Sequence, residues 1–450
     1  MKNRYILYTF ISALSTIAIW VGAKSLYLFS CSTPQDISLL SVTDYNEPTS
    51  FYIDNNDNDT TIDIIDKNLK TLFRREWLNG GMQIAISKNG KIVYSKGYGY
   101  SNVEDSIPMQ PYNRMRIASV SKLVTAIAIM HLVDEGKISL DQRVFGFFGI
   151  LNDEVYLTYR DKRITDITVR QLLNHSGGWT TRWGDPMFMP HSIARQMGKK
   201  LPISMHDIIR FMLEKRIHFT PGTASIYCNF GYGVLGEIIE KVTGMPYEEY
   251  VKSEILAPLG IYDMQLGYSF KHETLPNEVY YYEADTSACA LNYTNNDSIE
   301  FVRRAYGGTD IQTLGAAGGW VASATDLLKL TLAIDGFDDV PDILSHESVM
   351  EMTHHDIGFD PIGWRTTKGD SIWYRSGTLA ATTAMIARHP NNVNYVILMN
   401  TGNHRGPELA TVVKLVMDRI IPTIELPSEI DLLEDDKYWQ DRKTLNREYQ

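Results

Sequence analysis

The strand-like segments of this chain lie near its two ends, and helical patterns fill the residues between them. Two apolar runs, 82–87 and 92–99, flank Asn89-Gly90. This dipeptide is typical of a tight β-hairpin, because both residues tolerate a positive φ. After the first of the C-terminal runs, Gly377 is expected to interrupt the strand. Those C-terminal runs lie at 371–376, 382–388 and 393–399.

Helical periodicity characterises the middle of the chain. It is found at 62–78, 119–135, 167–174, 204–216, 231–243, 247–256, 325–335 and 406–420. Strands from both ends that enclose helices predict an α+β protein (an α/β sandwich). One antiparallel sheet is built from the N- and C-terminal ends and flanked by helices, and a mostly helical lobe is inserted into it. The cleft between sheet and lobe is the natural place for a site.

Composition excludes several classes of function. Among 450 residues, 43 Lys and Arg oppose 54 Asp and Glu, giving a net charge of -11. No basic stripe is visible, so nucleic acid is not an expected partner. No H-x-H or H-E-x-x-H pattern occurs, and we expect no metal site. The three cysteines are too few for a disulfide framework; a Cys228–Cys289 bridge is an open alternative to free buried thiols.

The N-terminus has the composition of an export segment. Lys2 and Arg4 precede an apolar run from Tyr5 to Ala23, close to the ~20 residues that span a bilayer. A cleaved lipoprotein signal ending before Cys31, an uncleaved anchor and a secretory signal remain open. All three place the body of the protein outside the cytoplasm, in the cell envelope or secreted. The predicted organisation is a signal or anchor at 1–31, a polar linker at 32–61, a catalytic domain at 62–421 and a polar tail at 422–450.

The first candidate catalytic motif is Ser119-Val120-Ser121-Lys122 at the start of a predicted helix. A serine hydroxyl needs a base, and residues at i and i+3 share a helix face, so Lys122 can reach Ser119. The helix N-terminus offers backbone N–H groups that can stabilise an oxyanion. Ser121 is available for a hydrogen bond within the site. An N-capping serine beside an exposed lysine would look the same.

Two further motifs contain residue types that suit acyl transfer. Tyr227 can relay a proton, and Asn229 can orient a substrate amide or fix the lysine. Arg375-Ser376-Gly377-Thr378 combines a cation and a hydroxyl, which suit a substrate carboxylate, with a glycine that allows close backbone approach. The Thr378 N–H is a candidate second oxyanion donor. Each motif alone is also compatible with an ordinary structural role.

In this order, the three motifs resemble those of the serine β-lactamase and penicillin-binding-protein superfamily. The Tyr-x-Asn version is similar to the class C β-lactamase branch, which includes D,D-peptidases, D-aminopeptidases and esterases. Other segments that look like family landmarks are 166–178, 230–236, 258–260 and 317–327. The resemblance extends over roughly residues 65–420 and implies a β-lactamase/transpeptidase-like fold.

The resemblance also implies a mechanism without a cofactor. Ser119 would attack a carbonyl and form an acyl-enzyme, with Lys122 and Tyr227 sharing the base role. The N–H groups of Ser119 and Thr378 would form the oxyanion hole. Asn229 would orient the acyl side of a small-molecule or peptide substrate. Arg375, Ser376 and Gly377 would lie on the side of the substrate carboxylate.

One departure from the family pattern is Arg375, where many relatives carry lysine. Arginine keeps the charge but is forked and harder to deprotonate. It favours acyl transfer in general over efficient β-lactam hydrolysis. It also leaves an alternative open, a membrane-tethered sensor that is acylated without efficient turnover.

A second glycine pattern invites a different interpretation. Gly231, Gly233 and Gly236 match the dinucleotide-binding pattern G-x-G-x-x-G. No clear hydrophobic strand precedes them, so close helix packing is the prediction. His175, within the landmark 166–178, is predicted to be structural.

Overall fold

The computed structural model describes residues 60–76, 78–285, 288–295, 298–354, 356–367, 372–402, 405–427 and 431–432. The predicted signal or anchor segment, nearly all of the linker and most of the polar tail lie outside the described residues. Within the described ranges, no helix combines the length and the apolar composition that crossing a bilayer requires.

A seven-stranded antiparallel sheet joins the two ends of the described chain. Its strand order is β3-β2-β1-β12-β11-β10-β9. The strands are β1 (Gly81–Lys88), β2 (Lys91–Asn102), β3 (Ile107–Pro108), β9 (Thr366–Thr367), β10 (Trp373–Leu379), β11 (Thr382–His389) and β12 (Val393–Met399). Met82 pairs with Met399 and Ile86 with Tyr395, so the N-terminal hairpin is hydrogen-bonded directly to the last strand. The predicted antiparallel sheet from both ends is confirmed.

Smaller strands lie outside this sheet. They are β4 (Met115–Arg116), β5 (Gln265–Leu266) and β8 (Trp320–Ala322), which form a three-stranded sheet, and the hairpin β6 (Cys289–Leu291) with β7 (Phe301–Arg303). The β4–β8 pairing matters for the site, since β4 precedes Ser119 by only a few residues.

The turns agree with the sequence at one position and differ at another. Asn89 and Gly90 adopt φ values of 50° and 77°, as the predicted hairpin turn requires. Gly377 was expected to interrupt a strand, and this prediction was wrong. It lies within β10 and pairs with Ala384 of β11. Glycine is tolerated inside a strand where another backbone comes close, and that is the case here.

Eleven helices surround the sheet in the described residues. They are α1 (Thr60–Arg75), α2 (Ser121–Asp134), α3 (Val169–Leu173), α4 (Pro190–Met197), α5 (Met205–Leu213), α6 (Asn229–Thr243), α7 (Tyr247–Tyr250), α8 (Ile311–Gly318), α9 (Ala324–Leu332), α10 (His346–Thr353) and α11 (Glu408–Ile420). A π-helical turn, Val251–Leu256, continues α7.

The two faces of the sheet contribute to two separate cores. Strand residues alternate in direction, so Ile84 and Ile86 pack with α1 and α11, while Ala85 belongs to the larger core on the other face. On α1, buried Ile65, Leu69, Leu72 and Phe73 recur at helical spacing and form one apolar stripe. The sheet therefore lies between a two-helix layer and the helical lobe.

Helix α2 is buried on nearly all sides between the sheet and the lobe. Its residues from Ser121 to Met130 are buried without interruption. A helix that is apolar all round is stable only inside a core. Its N-terminus, where Ser119 and Lys122 lie, is therefore held from several directions.

The glycines of the G-x-G-x-x-G pattern lie on α6 and serve helix packing. A Cβ at Gly233 would meet the side chain of Met205, and one at Gly236 would lie 3.0 Å from the Cβ of Ala316. The packing prediction is confirmed for Gly233 and Gly236, whereas a Cβ at Gly231 would make only an ordinary contact, 3.6 Å from the Leu172 carbonyl oxygen. Cys228, just before α6, is a free buried thiol, so the Cys228–Cys289 bridge is not formed.

Candidate active site

Ser119 lies in a short 3-10 turn, Ala118–Val120, immediately before α2. The flanking Ala118 and Val120 are buried, whereas Ser119 is half-buried. Ala118 has a φ of 49°, which is unusual for a residue with a side chain. Backbone strain of this kind is found at functional sites, where surrounding contacts hold it in place. Here the N–H of Ile117 donates to the carbonyl of Trp320 at 2.9 Å.

Lys122 and Tyr227 both contact the Ser119 hydroxyl. Lys122 Nζ lies 3.3 Å and Tyr227 OH 2.7 Å from Ser119 Oγ. The structure thus brings together residues more than a hundred positions apart, as the motif order implied. A hydroxyl between an amine and a phenol can lose its proton to either of them.

Lys122 is buried, and its ammonium has fixed partners. Nζ donates to Asn229 Oδ1 at 2.6 Å and to the carbonyl of Ala317. Burial lowers the pKa of Lys122, and the cation of Arg375 lowers it further, outweighing the opposing effect of Tyr227. A lowered pKa is the property that a lysine needs to act as a base.

The cations around Tyr227 lower the pKa of its phenol. Burial alone would raise the pKa of its phenol, but Lys122 and Arg375 outweigh burial and lower it. The ring centroid lies 5.0 Å from Lys122 Nζ, and the guanidinium carbons of Arg365 and Arg375 lie 5.5 and 5.7 Å away. The positive charges of Lys122 and Arg375 thus favour the phenolate.

The ring of His175 packs against the ring of Tyr227. Its ring centroid lies 4.6 Å from that of Tyr227, and its Nδ1 accepts from the N–H of Cys228 at 3.3 Å. Burial and the charges of Arg375 and Lys122 hold the pKa of His175 well below its usual value. A neutral imidazole without contact to Ser119 fits the predicted structural role.

Gly377 allows β10 to lie against the nucleophile turn. A Cβ at this position would come within 2.3 Å of the Ile117 carbonyl and 2.8 Å of the Ser119 nitrogen. β9 pairs only with Trp373 and Tyr374 of β10, so no described strand pairs with this edge farther along. Thr378, half-buried, follows at that edge. The oxyanion role of its N–H group stays a prediction.

Arg375 is tied to the catalytic groups themselves. Its Nε donates to the Ser119 carbonyl at 3.0 Å, and a terminal nitrogen lies 3.4 Å from Tyr227 OH. The residue is 2% exposed, which leaves little surface for the substrate carboxylate that the sequence assigned to it. Ser376, next along the strand, is half-buried.

Sequence reasoning missed three contributors to the site. Asp185 Oδ2 accepts from Asn229 Nδ2 at 2.8 Å, the carbonyl of Ala317 accepts from Lys122, and Arg365 lies beside Tyr227. Ala317 is in a landmark segment, but a backbone acceptor leaves no mark in a sequence. Asp185 and Arg365 lie in irregular segments without a motif.

Ser121 serves packing instead of the reaction. Its Oγ accepts from the N–H of Trp320 at 3.2 Å, and the residue is completely buried. The expectation of a hydrogen bond within the site was wrong, because the side chain points from α2 to β8. Among the described residues, no group of three or more His, Cys, Asp or Glu is placed to hold a metal ion.

Comparison with known proteins agrees with this geometry. Protein flp of Staphylococcus aureus is 25% identical over 340 residues, which are 73% of this chain and 61% of that protein. The chain therefore spans about three fifths of the length of the curated relatives it matches.

Two solved structures share the fold. The octameric penicillin-binding protein homologue from Pyrococcus abyssi has a TM-score of 0.60 and 28% identity, covering 81% of this chain and 79% of that one. The D-amino acid amidase from Ochrobactrum anthropi SV3 has a TM-score of 0.61 and 22% identity, covering 80% and 97%. The Beta-lactamase family model matches residues 69–417. The chain belongs to the Beta-lactamase family of serine hydrolases.

Proposed function

We propose that this protein hydrolyses an amide or ester through an acyl-enzyme on Ser119. The observation that carries the proposal is the position of Ser119 Oγ, 3.3 Å from Lys122 Nζ and 2.7 Å from Tyr227 OH. The pKa values of both neighbours are lowered from their ordinary values. A lowered pKa increases the share of the unprotonated form of each group, which is the form that can accept the proton of the serine.

The proposed reaction has two halves. Ser119 Oγ bonds to the carbonyl carbon as its proton passes to Lys122 or Tyr227, and the oxyanion accepts from the N–H groups of Ser119 and Thr378. The scissile bond then breaks, and the leaving group takes that proton. In the second half, water gives a proton to the same base pair and attacks the ester carbonyl. The bond between Ser119 Oγ and the carbonyl carbon then breaks, the base returns its proton to Ser119 Oγ, and the acid product leaves.

The proposed substrates are small molecules or peptides. Two structural relatives are named a penicillin-binding protein homologue and a D-amino acid amidase, and these names support amides of D-amino-acid peptides, with esters and β-lactams as further candidates. Arg375 supports amide or ester transfer over β-lactam hydrolysis, since its guanidinium is already engaged by Ser119 and Tyr227.

A second candidate is a sensor that is acylated but released slowly. Arg375 motivates it, because its guanidinium is 2% exposed and bound to Ser119 and Tyr227, which leaves it little freedom to move when the acyl-enzyme reacts with water. The two candidates share the first half of the reaction and differ in the rate of the second.

The rate of release separates the two candidates. The full chain, purified in detergent, is treated with a fluorescent penicillin and a fluorophosphonate, beside Ser119→Ala. We expect both probes to label the wild type and neither to label the variant. Equal labelling of the two proteins would exclude Ser119 as nucleophile. Rapid turnover of p-nitrophenyl esters or nitrocefin supports the hydrolase, and a penicillin adduct that persists for hours supports the sensor.

We further propose that the catalytic domain acts outside the cytoplasm. The basic start at Lys2 and Arg4 and the apolar run that follows support export. Mass spectrometry of the mature protein tests this. A lipid-modified Cys31 at the N-terminus supports a lipoprotein, an intact Met1 in a membrane fraction supports an anchor, and an unmodified Met1 in the soluble cytoplasmic fraction contradicts export.

A further inference from the structure

Asp185 is a carboxylate beside Asn229, and it forms no ion pair with any residue that the structure describes. It is half-buried and follows the exposed loop 181–184. Oδ2 accepts from Asn229 Nδ2 at 2.8 Å, and Oδ1 accepts from the N–H of Met187 at 3.0 Å. Among the residues that the structure describes, no cation forms an ion pair with it.

Three hydrogen bonds connect Asp185 to the nucleophile. They run from Ser119 Oγ to Lys122 Nζ at 3.3 Å, from Nζ to Asn229 Oδ1 at 2.6 Å, and from Asn229 Nδ2 to Asp185. The carboxylate is close enough to Lys122 for its negative charge to raise the pKa of that lysine, against the lowering caused by burial. It therefore lies beside the part of a substrate that Asn229 orients, the acyl side.

The carboxylate has acceptor capacity to spare. An ionised carboxylate offers about four lone-pair sites, and the two hydrogen bonds of Asp185 use two of them. An ammonium group carries three N–H donors and no acceptor, which is the complement of this surface. A neutral amide donor would fill one site and leave the charge uncompensated.

The other charged side chains near the site already have partners. Arg375 and Lys122 are buried and hydrogen-bonded to Ser119 or its neighbours. Arg365 lies 3.6 Å from Asp360 and is paired with it. Among the described residues that contact Asn229, Asp185 is thus the carboxylate that keeps acceptor sites for a ligand, and Lys122 is the buried cation near enough to interact with its charge.

We propose that Asp185 binds a free ammonium group on the acyl portion of the substrate. The site then takes aminoacyl amides or esters, and peptides with a free amino terminus, in preference to the same compounds with an acylated nitrogen. This inference rests on the proposed function, because the attack of Ser119 defines which portion of the substrate is the acyl side.

Asp185 also caps the 3-10 turn Pro186–Phe188 and holds Asn229. A role limited to these contacts would affect all substrates alike, whereas ammonium recognition depends on the substrate charge. A matched substrate pair therefore separates the two roles. Phenylalanine p-nitroanilide and its N-acetyl derivative, each as both enantiomers, form such a pair.

The experiment measures kcat/KM for both substrates with the full chain, with Asp185→Asn and with Asp185→Glu. We expect the wild type to prefer the free amine by about tenfold to a hundredfold, the value of a charge-assisted hydrogen bond. Asp185→Asn should lose that preference, because its rate on the free amine should fall about tenfold or more beyond any loss on the N-acetyl substrate that comes from the contact with Asn229. Asp185→Glu should retain part of the preference, which should also fall as the pH deprotonates the substrate amine.

A second measurement does not need turnover. The free and N-acetylated phenylalanine amides compete with the fluorophosphonate for Ser119, and the free amine should protect at a lower concentration. Equal protection or equal loss of rate on both substrates would overturn the role of Asp185, even with Ser119 labelled normally. Absence of Ser119 labelling would instead contradict the proposed function itself.

Discussion

The Nε of Arg375 donates to the backbone carbonyl oxygen of Ser119 at 3.0 Å. The same guanidinium reaches Tyr227 OH at 3.4 Å. One buried cation therefore fixes the nucleophile turn and lowers the pKa of the phenol that faces it. Arg375 therefore contacts Ser119 and Tyr227 from a buried position in β10.

Replacing Arg375 by lysine separates its charge from its shape. Arg375→Lys keeps the cation but cannot make two directed hydrogen bonds from a fork, so we expect about a tenfold loss in kcat/KM. Arg375→Gln removes the cation, and the pKa values of Lys122 and Tyr227 should both rise. The acidic limb of the kcat/KM profile should then move to higher pH in Arg375→Gln and stay in place in Arg375→Lys. An unchanged limb in both variants would contradict an electrostatic role.

The hydroxyl of Tyr227 is expected to be essential for proton transfer. Tyr227→Phe removes the partner 2.7 Å from Ser119 Oγ, and the loss in acylation rate should be about 100-fold to 10,000-fold. Fluorophosphonate labelling under single-turnover conditions measures this step.

Tyr232 offers a matched control. Its hydroxyl donates to the carbonyl of Leu173 at 2.8 Å and has no contact with Ser119. Tyr232→Phe should cost about 1 kcal/mol of unfolding free energy and leave the acylation rate within a few-fold. Equal losses in the two variants would assign Tyr227 a packing role only.

The sheet was predictable because its signals are local. The turn at Asn89-Gly90 and the apolar alternation of the last strands specify a hairpin and a meander, and pairing of β1 with β12 follows from burying both. The prediction for Gly377 was wrong because the local sequence does not distinguish two kinds of glycine. One ends a strand, and the other lies inside a strand where a second backbone segment comes close. Only the position of Ile117 and Ser119 distinguishes the two cases.

The site was predictable where a side chain belongs to a motif. Ser119, Lys122, Tyr227 and Asn229 meet as the order of their motifs implied. The direction in which the Arg375 side chain points was not predictable, because it depends on how closely β10 packs against the turn that contains Ser119. Asp185 was not predicted from the sequence for a related reason, because its role arises from a contact between an irregular loop and α6.

A side chain at Gly377 should disrupt the nucleophile turn. Gly377→Ala places a Cβ 2.3 Å from the Ile117 carbonyl and 2.8 Å from the Ser119 nitrogen, and both are backbone atoms that cannot move aside. We expect kcat to fall about a hundredfold or more, as for the loss of an oxyanion donor. A fall in Tm should accompany it.

Gly231→Ala is the control for this experiment. A Cβ at Gly231 finds its nearest neighbour, the Leu172 carbonyl, at 3.6 Å, an ordinary contact on α6. This variant should keep its activity and gain up to about 1 kcal/mol of unfolding free energy, since alanine is the better helix former. An active Gly377→Ala would mean that β10 does not define the oxyanion site.

Asp335 should make the stability of the fold decrease between acidic and neutral pH. Burial raises the pKa of its carboxyl to about 6, and the hydrogen bonds from the Phe337 N–H and Asn394 Nδ2 offset this only in part. The folded-state pKa is above the ordinary 3.8, so the fold favours the protonated form. That contribution is complete below about pH 4 and lost as the pH rises through about 6, a change of about 3 kcal/mol.

Asp335→Asn tests this with a neutral group of the same shape. Asn394 Oδ1 has no hydrogen-bond partner, so rotation of the Asn394 amide lets it accept from the new side chain. Urea unfolding should show the variant about 3 kcal/mol more stable than the wild type at pH 7.5 and nearly equal to it at pH 4, where Asp335 is already protonated. Other carboxylates, such as Asp66 with its lowered pKa, destabilise both proteins alike in acid and cancel in the comparison. The absence of a pH-dependent difference between Asp335→Asn and the wild type would mean that the Asp335 carboxyl is ionised at little cost.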